Sequence, residues 1–488
     1  MKGILKHSLA SLAMTSLLVS PLAQATNGYF KIGAGSKNRG LAGAGIAYGQ
    51  DSLASAINPA TLSEVGNRFD AGAELFKPKR SGELDATGIG GADSAEKSRS
   101  NGFFLPNVGF SKAWTDRITI GISAIGNGGM NTRYGNPDTG VGNIYTDALA
   151  PAVPGFVAAT ITQLGGDPND PNDPITQQVG ANAGAIATDP NITPSLGVNL
   201  AQLLVAPTIA YKITQHQSVG FAPVIGYQTF RAYGLGLFKG LSSDPTKVTN
   251  NGNDSAFGIG ARIGYQGTFG MLSVGAVATS KIYMEKFDKY AGLFAGKGDF
   301  DIPATAGVGL ALHASSKLTI AADATRIFYS QVDAISNKGP TANEFFTGLG
   351  TALAAGPANS GALIPNALGT SDGYGFGWDD IWVYKIGVNY AWNSDWTLRA
   401  GFNYAKVPYD DDQALFNILA PAVVEKHITA GFTRTLGKDS DITFTYMHAL
   451  RNDVEYTYSG TGPFTGFSYT AKNDMYQNAF EVSYGKRF

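Results

Sequence analysis

From about residue 69 onward one pattern recurs: runs of roughly ten residues that alternate apolar and polar, each closed by a turn. In Trp396–Tyr404 one face carries Trp396, Leu398, Ala400, Phe402 and Tyr404, and the other Thr397, Arg399, Gly401 and Asn403. In Ile381–Trp392 one face carries Trp382, Tyr384, Ile386, Val388, Tyr390 and Trp392, opposite Lys385, Gly387 and Asn389. A third segment sets Phe257, Ile259, Ala261, Ile263 and Tyr265 against Gly258, Gly260, Arg262 and Gly264. Period-two alternation makes strands with one apolar and one polar face. In a soluble sandwich the apolar face meets a core; in a membrane barrel it meets lipid.

Three features favour the barrel. Strands are expected near 69–78, 103–113, 117–126, 203–212, 217–232, 255–267, 271–284, 302–313, 317–329, 380–392, 395–406, 427–436, 441–456 and 474–488. That is an even number, fourteen, as single-chain bacterial barrels have. Connections alternate between tight turns, such as Gln215–Gln217 and Asn393–Ser394, and long insertions, notably about 127–202 and 330–379. Short periplasmic turns opposite long external loops are the barrel pattern. Trp378, Trp382, Trp392 and Trp396 bracket one strand and the turn after it, and Trp114 abuts another turn, as interfacial aromatic girdles do. The last strand, with Phe480, Val482, Tyr484 and Phe488 on one face, is expected to close the barrel.

The N-terminus sets the compartment. Lys2 and Lys6 precede an apolar run from Leu9 to Val19, followed by Ala23-Gln24-Ala25. This reads as a secretory signal peptide over residues 1–25, with the mature chain starting at Thr26. Downstream, no run of eighteen apolar residues suggests a spanning helix. A bacterial outer-membrane location follows as the expectation.

Other functions find little support. A net charge of −2 disfavours a nucleic-acid partner. With no cysteine, disulfides and thiolate metal sites are impossible. Hydrolase and metalloprotease motifs are missing, and Leu41 stands where a phosphate-binding loop needs lysine. No enzyme, cofactor or metal is expected. Asp167, Asp170 and Asp173, each near a proline, read as a stiff turn chain rather than a calcium site.

Residues 26–68 do not alternate. Gly35, Gly40, Gly43 and Gly45 suit tight, irregular packing in a narrow space. A fourteen-stranded lumen needs a plug, and this segment is the candidate hatch before a barrel of 69–488. Its glycine-rich start, then Asn58-Pro59-Ala60, then the first strand, resemble the FadL/TodX family (OmpP1-like transporters of hydrophobic compounds). Asp395–Gly401 and Ser440–His448 also look like family segments.

The resemblance implies an all-β, fourteen-stranded antiparallel transmembrane barrel with an N-terminal hatch inside. It implies a passive, hatch-gated channel, monomeric, for hydrophobic small molecules: long-chain fatty acids or hydrocarbons. External loops would catch the ligand, an apolar pocket would hold it, and a kink in the third strand would release it sideways into outer-membrane lipid. Asn58, Pro59 and Ala60 would anchor the hatch. Gly126, Gly128 and Gly129 mark the kink, since clustered glycine in a strand signals a bend; an ordinary turn into the long loop is the alternative. The apolar flanks 148–161 and 175–204 are candidates for the capture groove. Arg231 and Phe30 are the ligand-binding candidates. Where the fatty acid channels carry a second cation, this chain reads Ser371–Asp380, acidic and aromatic, which suits an uncharged ligand better. The rival function is an adhesive or structural barrel binding external partners through its loops.

Overall fold

The computed structural model describes residues 27–136, 138, 140–461 and 465–488. The expected signal peptide and the mature start at Thr26 lie outside the described residues. Fourteen antiparallel strands form the wall. They are β1 (Arg68–Asp85), β2 (Phe103–Ala113), β3 (Ile118–Gly128), β4 (Gly197–Lys212), β5 (Gln217–Tyr233), β6 (Asp254–Phe269) and β7 (Leu272–Thr279). Then follow β8 (Thr305–His313), β9 (Leu318–Ile327), β10 (Ile381–Ala391), β11 (Trp396–Ala405), β12 (Lys426–Leu436), β13 (Ser440–Ser459) and β14 (Ser468–Arg487). Each pairs with its sequence neighbour, and β14 pairs with β1 from Arg487↔Arg68 to Thr470↔Asp85, which closes the wall. Closure leaves no edge to satisfy in lipid, where unpaired backbone is costly. Two short segments, 93–97 and 283–284, pair onto β1 and β6 and continue the ladders of β2 and β7 past an interruption, each with a one-residue shift of register.

The alternating faces fall as a lipid barrel requires. Trp382, Tyr384, Ile386, Val388, Tyr390 and Trp392 are exposed on the outer surface, while Arg399 and Asn403 are buried on the lumenal side. A sandwich would invert this. Trp378 departs from the expectation: it is 1% exposed and sits inside the barrel, not in a girdle. It precedes β10 and escapes the strand's period. The seventh strand is interrupted after Thr279, but with a one-residue shift of register the chain pairs with β6 again at Tyr283 and Met284, so the wall reaches the expected end of that strand.

Strands of about ten residues cross a bilayer, so β1, β13 and β14, at 18 to 20 residues, project beyond it on the long-loop side. The long loops are folded: α1 (Gly35–Arg39) lies in the hatch, and α2 (Ile144–Leu149), α3 (Val153–Gln163), α4 (Pro174–Ala187) and α5 (Ala342–Ala355) lie in the loops. The stretch Ile144–Gln163 is apolar and long enough to cross a membrane by length and composition, unlike the expectation from sequence. Pro151 and Pro154 interrupt it, and it packs among the loops. The Asp167–Asp173 repeat is a turn chain: its carboxylates accept from Asn169, Asn172 and Thr176 amides at 2.8–2.9 Å.

Residues 27–67 fill the lumen, almost wholly buried, in short turns and one-turn helices.

Candidate functional site

The hatch is held by charge at its core. Arg39, 0% exposed, donates from Nη2 to Glu74 on β1 at 2.7 Å and forms an ion pair with Glu481 on β14, its Nε 2.8 Å from a carboxylate oxygen. Lys31 reaches the same Glu74 at 2.7 Å, and Lys37 reaches Asp441 on β13 at 3.0 Å. Buried charges hold this way only when paired. Asn58, Pro59 and Ala60 are all buried. Asn58 Oδ1 accepts from the Ala60 amide at 3.0 Å; its Nδ2 donates to the Ile46 carbonyl at 2.7 Å and to the Tyr265 carbonyl of β6 at 3.0 Å. The tripeptide therefore ties hatch to hatch and hatch to wall.

The wall is recessed to receive it. A methyl group on lumen-facing Gly264 would collide with the Asn58 side chain, and one on Gly220 with the Pro59 backbone. A Cβ on Gly387 or Gly401 would lie 2.6 Å from Leu41 atoms, and one on Gly109 2.6 Å from the Ser52 hydroxyl. Part of the glycine content is thus a mould for the plug.

At the top of the hatch, β3 bends inward. Its pairing with β2 stops at Ile125↔Asn107, so Phe103–Pro106 keep β1 as a partner but lose β3. A bulge falls between Gly126 and Gly128 opposite Leu203 and Gln202. Gly126–Gly129 are buried, and the strand end bonds to the hatch instead: the Lys31 amide donates to the Asn127 carbonyl at 2.8 Å, and the Gly129 amide to the Tyr29 carbonyl at 3.2 Å. A Cβ on Gly128 would overlap the Tyr29 carbonyl. The cluster is a bend rather than a plain turn. An amide chain leads away from it: Asn127 to Gln202 at 3.0 Å, Gln202 to Gln228 at 3.2 Å, and Gln228 to the Phe300 carbonyl at 2.7 Å.

Phe30 lies next to this bend, half-buried, stacked on Tyr29 with centroids 5.1 Å apart. Tyr29, Tyr329 and Trp378 form an aromatic knot, with centroid separations of 5.1–6.0 Å. Tyr329 donates to the Asn27 carbonyl at 2.7 Å, and Trp378 Nε1 to Asn417 at 2.7 Å. Such groups are at home buried only with a partner.

Two apolar spaces lie above the knot. The outer one, about 290 Å³, sits among α2, α3, α4 and α5, with Leu149, Val153, Phe156, Ile186, Leu241 and Phe345 on its walls. It engages both expected capture flanks. Its two charges, Lys239 and Asp189, neutralise each other at 2.6 Å. The turn Gly236–Leu241 separates it from an inner cavity bordered by Phe230, Phe238, Phe294, Tyr374, Phe376 and Phe416. The inner cavity is about 30 Å³ and has no ionisable cation or carboxylate on its wall. The expected departure at Ser371–Asp380 supplies Tyr374 and Phe376 to this wall. Aromatic contact continues from Phe294 through Phe300 to Tyr29, at 4.8 and 6.4 Å.

Arg231 is not brought to this site. It has the outward parity of β5, is exposed, and lays its guanidinium over the Tyr233 ring at 5.9 Å. One residue away, Phe230 has the inward parity and lines the cavity. Strand period alone identifies Phe230. The loop aromatics Phe238, Phe294 and Phe416 carry no such signal.

The plugged, closed, lipid-faced barrel defines a class: an outer-membrane barrel with an internal plug. Residues 193–488 match the model of the outer membrane protein transport family (OMPP1/FadL/TodX), and the chain belongs to that family. No curated protein matches the chain in sequence. Among solved structures, the Pseudomonas putida toluene transporter TodX is 18% identical, with 94% of this chain and 99% of that chain covered and a TM-score of 0.60. A Pseudomonas aeruginosa FadL homologue is 14% identical, with coverage of 94% and 100% and a TM-score of 0.59. The Ralstonia pickettii toluene transporter TbuX is 18% identical, with coverage of 94% and 99% and a TM-score of 0.52. At these identities the likeness speaks for the fold.

Proposed function

We propose that this protein is a passive, hatch-gated channel that takes uncharged hydrophobic molecules from outside and releases them sideways into the bilayer. The observation that carries this reading is the run of apolar space from the outer groove into the inner cavity, continued by the ring contacts Phe294–Phe300–Tyr29–Phe30 to where β3 leaves β2. Each step is favourable for an apolar solute, at about 25 cal/mol per Å² removed from water. A carboxylate would find no free cation on the cavity wall, and burying an unpaired charge is costly. Neutral hydrocarbons, monoaromatic ones included, therefore fit better than fatty acids. That TodX and TbuX are toluene transporters agrees with this choice.

The inner cavity also supports gating. An engineered void of about 150 Å³ accepts benzene, whereas this one is about 30 Å³. A ligand must displace aromatic side chains or the hatch's top to enter.

The test is Gly128→Val. The valine side chain needs the space that the Tyr29 carbonyl occupies at the bend, and so fills the gap through which the ligand would leave. Uptake of labelled toluene into cells should fall severalfold while the barrel stays heat-modifiable on a gel. Wild-type uptake in that variant would refute the route through the β3 bend.

A further inference from the structure

A second irregularity of the wall lies one strand pair beyond the bend. β4 and β5 hold one register throughout: Val205 faces Ile225 and, lower down, Ile209 faces Phe221. Between these points, among the described residues, Ala206-Pro207-Thr208 and Ala222-Pro223-Val224 form no ladder rungs. The constant register sets Pro207 directly opposite Pro223. Opposed residues in an antiparallel pair alternate between exchanging two N–H···O bonds and exchanging none. Proline has no N–H, so this pair exchanges none wherever it falls. On their other flanks Pro207 keeps its partner Ile122 on β3, and Pro223 keeps Ala261 on β6, so the interruption is confined to this seam. Proline is ordinarily kept out of central strands. Two facing each other make the seam behave like two strand edges in contact.

The surroundings suit a seam that can part. Thr208 donates its hydroxyl to the Ala206 carbonyl at 3.0 Å, so one backbone acceptor is satisfied without the opposite strand. That matters where lipid offers no hydrogen bonds. On the outside, Ile209, Phe221 and Ile225 flank the prolines and are exposed on the lipid face. On the lumen side, Ala206, Ala222 and Val224 share an apolar cluster with Leu53 and Ala56 of the hatch. The next lumenal position down β5 is Gly220, filled by Pro59, and below it the Ser218 hydroxyl donates to the Ala60 carbonyl at 3.0 Å. The hatch turn Pro59–Glu64 is thus seated against β4 and β5 just beneath the seam.

We propose that the β4–β5 seam is a second lateral exit, kept shut by the seated Asn58–Glu64 turn and freed when the hatch moves. Its cargo is the same class of neutral hydrophobic molecule, and it serves the lumen below the β3 bend. The proposal rests on the transport reading above.

The chain has no cysteine, so a single cross-link can be placed cleanly. Ala206→Cys with Val224→Cys puts two thiols opposite each other across the seam. Uptake of labelled toluene is measured in cells, with the pair oxidised and then reduced. The oxidised form should take up toluene severalfold more slowly, and the reduced form should recover. A control pair, Thr433→Cys with Thr443→Cys, crosses the unbroken β12–β13 ladder, where the hydroxyls are 2.8 Å apart, and should show no redox effect. Pro207→Val with Pro223→Val restores the missing donors and should also slow uptake, while raising the temperature at which the barrel unfolds on a gel. Equal uptake in oxidised, reduced and proline-free forms overturns the second exit and leaves the transport reading standing. If the reduced pair and the wild type take up no more than cells lacking the protein, the transport reading fails and the exit with it.

Discussion

The hatch seat and the barrel mouth are built from opposite materials. Around Arg39 the lumen is closed by buried ion pairs with fixed directions and short distances. Around Phe238 it is closed by rings in contact, with no charge on the cavity wall. Ion pairs have one good geometry, and breaking one partner strands the other. Ring contacts are individually weak and have many near-equivalent arrangements. The seat is therefore held in one arrangement, while the rings of the mouth can repack among several.

The largest expected effect comes from cutting the latch. Arg39→Ala removes the ion-pair partner of Glu481 and leaves Glu74 to Lys31, and loss of one partner of a buried ion pair costs about 3–5 kcal/mol. Cells carrying it should become sensitive to large antibiotics, and single-channel conductance should rise, with normal barrel assembly. Unchanged conductance would mean that charge does not seat the hatch. Asn58→Ala with Pro59→Ala removes the hydrogen bonds from Asn58 to Ile46 and Tyr265. At about 1 kcal/mol each, the leak should be smaller than for Arg39→Ala. If the order reverses, the Asn-Pro-Ala turn is the main latch.

Phe238→Ala acts on the other material. It should weaken toluene binding to purified protein about tenfold, in line with about 1.4 kcal/mol of lost contact, and leave antibiotic sensitivity alone. A leak in this variant would erase the contrast between the regions. The pH dependence is subtler. Burial, aided by neighbouring Asp70, raises the Asp51 carboxyl in the hatch from 3.8 to about 7. An acid with a raised value in the seated state favours that state when protonated. Seating is thus fully favoured at acid pH and weakens as pH climbs from 3.8 through about 7. Conductance should be higher at about pH 8, above that window, than at about pH 5, inside it, and Asp51→Asn should flatten the difference. Last, Arg231→Ala should leave toluene affinity unchanged, since that side chain faces outward; a loss would return Arg231 to the ligand path.

Sequence reading succeeded where a physical period is imposed on the chain. Lipid outside and a packed lumen inside force alternation, so all fourteen strands and their closure were legible. The same period, applied one residue further, separates Phe230 from Arg231. Resemblance at the fifth strand instead pointed to the charged residue. Trp378 was misplaced because composition near a strand end cannot tell a girdle from a lumenal knot. The cavity wall itself was illegible: Phe294, Tyr374 and Phe416 come from three loops with no repeat, brought together only by the fold. The amide chain from Asn127 to Gln228 was equally hidden, since it runs across strands rather than along them.

The moulded wall has a consequence for biogenesis. The hatch's partners come from both ends of the chain: Gly109 and Glu74 early, Gly220 and Gly264 in the middle, Gly401 and Glu481 late. Much of its buried surface meets the wall, at Gly109, Gly264 and Gly401 among other places. Residues 27–67 therefore have no complete binding surface until the last strand has met the first. Insertion must pass through a stage in which the cylinder is shut and the pore is open. How fast the N-terminal segment settles then sets how long each newly inserted molecule leaks, a cost borne per copy and governed by folding kinetics rather than by affinity for any solute.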